Sequence, residues 1–250
     1  MQTVAKEGEQ DYLANIGEMG RTHCLNKPFS DTYCGMNLTS IGTIMSLLPP
    51  APARILDLGC GGGWTSIFLA RHGYEVVGQD IAADMIELAR ENAGLYRVGD
   101  HLQFICGDFE SLDFQDHFDA AIFFDSLHHA EDEALAIRSA YRALKPGGIL
   151  ITHEPGEGHA IHPQSIQAME LYGVTERDMP PQLIIARGKE AGFVDARILP
   201  MPEELFSIFY KRRTYPKHLL SKRRFNISRR VLRLLFKPDP AKGAIVIQTK

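Results

Sequence analysis

The sequence of 250 residues predicts an α/β fold, a mostly parallel sheet with helices on both faces. Three observations predict it. From Arg54 to Leu199, short apolar runs alternate with segments of helical periodicity, the rhythm of strand–helix–strand units. A glycine-rich turn, Gly59-Cys-Gly-Gly-Gly63, follows the first run and leads into a helical pattern. Acidic residues stand at the ends of successive runs, where sheets of this kind bind ligands.

The elements follow in order. Residues 1–50 read as a helical cap, with Ile41, Ile44, Met45 and Leu48 at helical spacing before the stop at Pro49-Pro50. The first strand is Arg54 to Gly59, and the helix from Trp64 to His72 ends at Gly73. The second strand is Glu75 to Asp80. The helix from Ala82 to Asn92 puts Met85, Ile86 and Ala89 on one face. The third strand is Leu102 to Asp108 and the fourth Phe118 to Asp125. A helix from Glu131 to Leu144 is closed by Lys145-Pro-Gly-Gly148 before the fifth strand, Ile149 to His153. Residues 154–185 break the rhythm and read as a long binding loop or lid. A helix from Gln182 to Ala191, a sixth strand from Val194 to Leu199 and a last strand from Ala244 to Gln248 complete the chain. The organisation expected is one domain over residues 1–250: a cap (1–50), a ligand-binding core (51–155), a lid with the sixth strand (156–200), a basic helical insertion (201–242) and the last strand (243–250).

Composition narrows the class. Apolar residues are 44% and charged residues 23%, the balance of a globular protein and not of a disordered one. No run of 18 apolar residues exists. The first ten residues hold no apolar core of a secretory signal. The four cysteines, Cys24, Cys34, Cys60 and Cys106, form no CxxC pair, so free thiols in a reducing, cytoplasmic setting are expected. The net charge of −4 hides an asymmetry: residues 211–237 carry 11 Lys/Arg and no Asp or Glu, leaving 16 basic against 31 acidic residues elsewhere.

The glycine turn lets the backbone approach a ligand without obstruction by Cβ atoms. It is not the dinucleotide fingerprint GxGxxG, because Trp64 stands where the third glycine belongs. That departure, with Asp57 on the strand itself, counts against a nicotinamide-dependent oxidoreductase. Asp80 at the second strand tip can accept hydrogen bonds from a ribose diol. Asp108 beside Phe109 at the third can bond an adenine amine while the ring packs on the base.

The run Leu56-Asp-Leu-Gly-Cys-Gly-Gly-Gly63, with Asp80, Gly107-Asp108, Phe118-Asp119 and Leu144-Lys-Pro-Gly-Gly148, resembles the class I S-adenosylmethionine-dependent methyltransferases. The resemblance covers residues 50–155 firmly and the last strand loosely. It implies a Rossmann-like sheet of seven strands with the last antiparallel. It implies S-adenosyl-L-methionine as cofactor and S-adenosyl-L-homocysteine as product. Asp57 would stand near the cofactor's amino group, the Gly59–Gly63 turn along its methionine part, Asp80 on the ribose and Asp108 by the adenine. Ile81, Met85 and Phe109 would flank the adenine, and Asp125 would face the methionine end. Cys60, Gly61, Trp64, Thr65, Gly107 and Ser126 complete the expected cofactor set.

Five of the ten histidines lie between 128 and 162. His128 and His129 follow the fourth strand, and His153-Glu154 end the fifth, so both pairs belong to the ligand edge. A hydroxyl is a poor nucleophile until its proton is removed. A neutral imidazole beside a carboxylate removes protons near neutral pH. His128 or His129 is therefore the expected base, with Glu154 holding its tautomer. The SLHH turn also resembles methyltransferases of natural-product sugars and similar small molecules, which suggests a saccharide or glycolipid hydroxyl as acceptor. His159, His162, Glu154 and Glu157 fit no HExxH spacing, and no metal is expected. Residues 19–33 and the lid would roof the acceptor, with Tyr12, His23, Phe29, Tyr33 and Tyr172 as contacts.

In the basic segment Leu220, Ile227, Val231, Leu234 and Leu235 project to one side of a helix. Lys222, Arg229, Arg230, Arg233 and Lys237 project to the other, between Pro216 and Pro238. Three readings compete: peripheral contact with an anionic membrane, at its inner surface; recruitment of an anionic acceptor; and a core-packing helix with a solvated basic back. Nucleic acid is disfavoured, since no base-methylation motif follows the fourth strand. The sequence points most directly to O-methylation of a small-molecule, saccharide or glycolipid hydroxyl. N- or C-methylation, or a non-catalytic adaptor binding an anionic partner through residues 211–237, are the alternatives.

Overall fold

The computed structural model describes residues 4–210, 227–234 and 240–250. Seven strands form one sheet: β1 (Arg54–Leu58), β2 (Glu75–Asp80), β3 (Leu102–Cys106), β4 (Phe118–Phe124), β5 (Leu144–Glu154), β6 (Asp195–Leu199) and β7 (Ala244–Thr249). Their order is β3-β2-β1-β4-β5-β7-β6. The β1–β2, β1–β4, β2–β3 and β4–β5 pairs are parallel, and β7 runs antiparallel to both β5 and β6. The order reverses at β1, so the crevice beyond the carboxyl ends of β1 and β4 is the topological switch point where ligands bind.

Strand alternation builds two cores, one on each face. Ile55 of β1 and Ile245 and Ile247 of β7 join the first, with Ile67 and Leu69 of the helix after β1. Leu56 and Leu58 of β1 and Val246 of β7 join the second, with Ile137 and Ala140 of the helix before β5. Successive side chains of a strand point to opposite faces, so strands buried on both read as unbroken apolar runs. Each fully buried Leu or Ile contributes about 1.5–3 kcal/mol.

The cap consists of α1 (Val4–Gln10), α2 (Tyr12–Asn26), bent at Gly17, and α3 (Cys34–Leu47). α4 (Trp64–Arg71), α5 (Ala83–Tyr96), α6 (Glu133–Ala143), α7 (Pro163–Tyr172), α8 (Pro181–Ala191) and α9 (Pro202–Phe209) follow.

Three expectations need correction. The long loop over 154–185 contains α7. Pro163 presets the first turn, His162 accepts from the Gln164 N–H, and Gly173 takes the left-handed C-cap conformation (φ 69°). The fifth strand begins at Leu144 and not at Ile149. Lys145-Pro-Gly-Gly148 ends α6 as expected but is itself extended and tied down. Lys145 Nζ reaches Asp119 Oδ1 at 2.7 Å, and the N–H of Gly147 donates to the carbonyl of Lys250 at 3.0 Å. α6 starts at Glu133 because the Asp132 carboxylate caps the N–H groups of Ala134 and Leu135. In the basic segment residues 227–234 are helical, with Arg229 and Arg233 exposed and Ile227, Val231 and Leu234 half-buried. Leu220, Lys222, Leu235 and Lys237 lie outside the described residues.

Candidate active site

The glycine turn between β1 and α4 builds the floor of a cavity. Gly59 (φ +70°) crosses the tip of β4, where a Cβ would stand 2.6 Å from that of Ser126. Gly61 (φ +50°) leaves open space where its Cβ would be, and that space is the cavity. Its N–H donates to Asp80 Oδ2 at 2.8 Å, while Asp80 Oδ1 accepts from Ala82 at 3.0 Å. Both carboxylate oxygens are thereby aimed, with lone pairs left for a ligand. Burial pushes the Asp80 carboxyl up, against the two N–H donors that lower it.

The cavity encloses about 690 Å³, a size suited to a small ligand pair. Of the residues expected to bind cofactor, Gly59, Cys60, Gly61, Trp64, Asp80, Ile81, Met85, Asp108, Phe109, Asp125 and Ser126 line it. Asp57, Thr65 and Gly107 do not. Asp57 is 1% exposed and accepts the hydroxyls of Thr65 (2.5 Å) and Ser66 (2.6 Å), so it anchors the start of α4 behind the turn. Burial raises its carboxyl. Gly107 locks β2 to β3: its N–H donates to the carbonyl of Asp80 at 2.9 Å, and its carbonyl accepts from the Gln79 amide.

At Asp108 the chain supplies its own cation. Lys6 Nζ of α1 lies 2.6 Å from Asp108 Oδ2 and 2.8 Å from Glu110 Oε2. At the opposite end Asp125 adopts φ 50°, unusual for a residue with a side chain, and faces His153 Nδ1 at 3.0 Å. His153 Nε2 meets Ser40 Oγ at 3.0 Å, and its ring stacks on Phe124 at 4.6 Å. Burial disfavours the charge on both Asp125 and His153. Their mutual attraction outweighs it, lowering the aspartate and raising the histidine into an ion pair.

The two histidines of the SLHH turn divide their surroundings. His128 is 6% exposed, and its Nδ1 lies 2.7 Å from Glu154 Oε2. Glu154 also accepts the N–H groups of Ser126 (3.0 Å), Leu127 (2.8 Å) and His128 (3.3 Å), which fixes its position under the SLHH turn. In the tautomer whose Nδ1–H donates to Glu154, the lone pair of His128 sits on Nε2, 3.8 Å from Glu176 Oε2. His129 faces the cavity. Its Nδ1 lies 2.7 Å from the Thr175 carbonyl and 3.3 Å from Glu9 Oε1. Burial lowers its basicity, but Glu9, Glu176 and Thr175 outweigh that and raise it to about 9. Glu176 in turn pairs with His159 Nε2 at 2.6 Å, and its carboxyl is lowered by its histidine neighbours against the effect of burial. His128, His129 and Glu176 bring ligating atoms within 4.8 Å of one another, a donor set able to hold a metal ion that their spacing in sequence did not foretell.

One wall of the cavity comes from α2, with Tyr12, Ile16, Met19 and His23, and from the end of α7 and the residues after it, with Tyr172 and Val174. The Tyr12 and Tyr172 rings meet edge to face at 5.6 Å. Burial pushes the Tyr12 hydroxyl up to about 12. Phe29 and Tyr33, expected here, are 66% and 71% exposed on the connection between α2 and α3 and do not line the cavity. Sequence reasoning missed Lys6, Glu9 and Glu176. None belongs to a motif, and only the docking of α1 against the end of α7 brings them to the strand tips.

A family model described as a methyltransferase domain matches residues 56–152. A protein of Xanthomonas axonopodis pv. citri described as ubiquinone biosynthesis O-methyltransferase is 33% identical over 117 residues, 46% of this chain and 48% of that one. A protein of Talaromyces variabilis described as an S-adenosyl-L-methionine-dependent Diels-Alderase is 38% identical over 102 residues, 40% of this chain and 35% of that one. The chain thus spans about half or less of the length of these relatives. Among solved structures, geranyl diphosphate C-methyltransferase from Streptomyces coelicolor A3(2), in complex with Mg2+, geranyl diphosphate and S-adenosyl-L-homocysteine, superposes with a TM-score of 0.66. It is 14% identical, over 99% of this chain and 97% of that one, a likeness of fold.

Proposed function

We propose that this chain, which belongs to the class I S-adenosylmethionine-dependent methyltransferases, transfers a methyl group from S-adenosyl-L-methionine to a hydroxyl of a small acceptor. The observation that carries the reading is one cavity that joins the Gly61–Asp80 cradle to the histidine–carboxylate cluster. When bound, the cofactor supplies an electrophilic methyl carbon on a sulfonium sulfur. Asp80 fits a ribose diol, the open face of Gly61 fits the methionine part, and the Asp125 carboxylate suits a neighbouring cation. Asp108 accepts an adenine amine once Lys6 yields its place. The Xanthomonas relative's description supports oxygen as the acceptor atom.

The proton of the acceptor hydroxyl needs a base. His129 holds its own proton up to about pH 9 and serves as a donor that orients the acceptor oxygen. His128 offers a free Nε2, oriented by Glu154 through Nδ1. Glu176 stands between the cavity and that nitrogen, so the proton passes by way of Glu176 to His128. Alignment of the reactants by the two walls supplies the larger part of the rate. The wall of Tyr12, Ile16, Met19 and Tyr172 favours an acceptor with an apolar or aromatic body. A saccharide or glycolipid hydroxyl rests on the SLHH turn alone. N- or C-methylation is the second reading, and the proton that His129 keeps favours its carbon branch: a donor there orients the oxygen of an enol as readily, leaving its carbon free to attack.

Thermal unfolding with S-adenosylmethionine, S-adenosylhomocysteine and NAD tests the cofactor. A ligand at 100 times its dissociation constant adds about 2.7 kcal/mol, a rise of roughly 5–10 °C at this length. A rise with both adenosyl compounds and none with NAD is expected, and a rise with NAD alone would overturn the reading. Release of S-adenosylhomocysteine from a panel of phenols, saccharides and amines then identifies the acceptor class. His128→Gln is expected to slow turnover of a hydroxyl acceptor about 100-fold or more, the worth of a general base, with cofactor affinity unchanged. Full turnover in that variant would remove His128 from the mechanism.

A further inference from the structure

The SLHH turn gathers more donors than a proton relay requires. Among the described residues, His128, His129 and Glu176 are the one group of three whose ligand atoms lie within 4.8 Å of one another. His128 Nε2 and Glu176 Oε2 stand 3.8 Å apart. Metal bonds of about 2.0–2.2 Å place tetrahedral donors about 3.3–3.6 Å apart, so a small side-chain shift closes this pair on one ion. Each donor is also held from behind. The Nδ1 of His128 lies 2.7 Å from Glu154 Oε2, and the Nδ1 of His129 lies 2.7 Å from the Thr175 carbonyl, which can only accept. In the neutral rings these contacts put the proton on Nδ1 and leave the lone pair on Nε2. Glu176 is held in turn by His159 Nε2 at 2.6 Å. A carboxylate or carbonyl on the far nitrogen is the outer support that metal-binding imidazoles have. His128 and Glu154 are buried, whereas His129 and Glu176 line the cavity, so an ion enters from the cavity side.

We propose that His128 and His129, each through Nε2, and the Glu176 carboxylate bind a divalent transition cation of zinc's kind. Two imidazoles and one carboxylate are a donor set for zinc that leaves a fourth position open. Magnesium and calcium prefer shells of oxygen and are the poorer match. The ion takes the place of the second proton of His129, and the carboxylates Glu9 and Glu176 that hold this proton offset the ion's charge instead. The ligands come from two segments, the turn after β4 and the stretch after α7. The ion therefore ties that stretch to the edge of the sheet. It also occupies the lone pair of His128, so loading suspends the proton relay through that ring. This last consequence rests on the methyl-transfer reading; the site itself does not.

The test is calorimetric titration of the full, untagged chain with Zn2+ and with Mg2+, together with visible absorption of Co2+ as a spectroscopic stand-in. One equivalent of Zn2+ is expected to bind and Mg2+ far more weakly. Co2+ is expected to give the strong bands of a four- or five-coordinate site and not the faint ones of the hydrated ion. Glu176→Gln and His129→Gln are each expected to weaken Zn2+ binding about tenfold or more. His101→Gln breaks an exposed His–Glu pair with the same 2.7 Å contact and is expected to leave the affinity unchanged. If one ligand variant fails to fold by circular dichroism, the other carries the test. Absence of saturable Zn2+ binding, equal affinity in the ligand variants, or a preference for Mg2+ would overturn the proposal. Binding is read without cofactor or acceptor, so such a result leaves the methyl-transfer reading intact.

Discussion

His129 carries its proton to about pH 9 because Glu9 and the Thr175 carbonyl hold its Nδ1 and Glu176 stands close, together outweighing burial. The linkage has a definite sign. Its ordinary value is 6.5 and its folded value is higher, so its stabilising contribution is full below about pH 6.5 and is lost as pH rises through about 9. Chain stability measured by urea unfolding is expected to fall across that window, and His129→Gln to flatten the fall. An unchanged profile in the variant would show that the proton is held elsewhere. At the tip of β2, Asp80→Asn turns an amide toward the Gly61 or Ala82 N–H that now has an acceptor. Loss of a charge-assisted bond costs about 1.5–3 kcal/mol, so the dissociation constant for S-adenosylhomocysteine is expected to rise at least about tenfold by calorimetry. Affinity equal to that of the unaltered chain would detach Asp80 from the ribose.

Among the elements, α1 has the most leverage for its size. It carries Lys6 to Asp108 and Glu9 to His129, so seven residues touch both the β3 tip and the SLHH turn. Its seat is the close approach of Gly8 to the carbonyl of Gly173, a space any Cβ would fill. Gly8→Ala is therefore expected to lift α1. NMR titration of His129 in this variant should return it toward the ordinary imidazole range, and a value still near 9 would show that α1 stays seated. This element also marks the limit of what could be read from residues alone. The strands, the glycine turn and the acids at the tips of β2, β3 and β4 were legible because each is a local pattern of period or turn chemistry. Asp57 carried the same motif yet braces the turn from behind, with Thr65 of α4 as its partner, since a motif does not say which way a side chain on a doubly buried strand points. Glu9, Glu176 and α7 were not legible. Their roles depend on contacts between segments distant in the chain, such as the 2.7 Å bond from the Thr175 N–H to Glu9. Phe29 and Tyr33 failed for the converse reason: aromatic character suggested a pocket wall, and the chain turned outward before reaching it.

At the scale of the molecule, the strand order places every candidate group at one edge. β1 and β4 are neighbours at the reversal, so the turn after β1, the SLHH turn after β4 and Glu154 at the end of β5 converge without long reaches. The cap and α7 close that edge from above, which is why the glycine turn and His129 line one cavity. The same order has a consequence during synthesis. β7 lies between β5 and β6, although it is made after both. While the ribosome is still translating residues 200–243, β5 presents a bare hydrogen-bonding edge and β6 has no partner among the strands already made. That interval exposes Ile149, Ile151 and the other apolar positions of β5 to wrong pairing. A nascent chain held at that stage should call on chaperones, and one that has released Ala244–Thr249 should not.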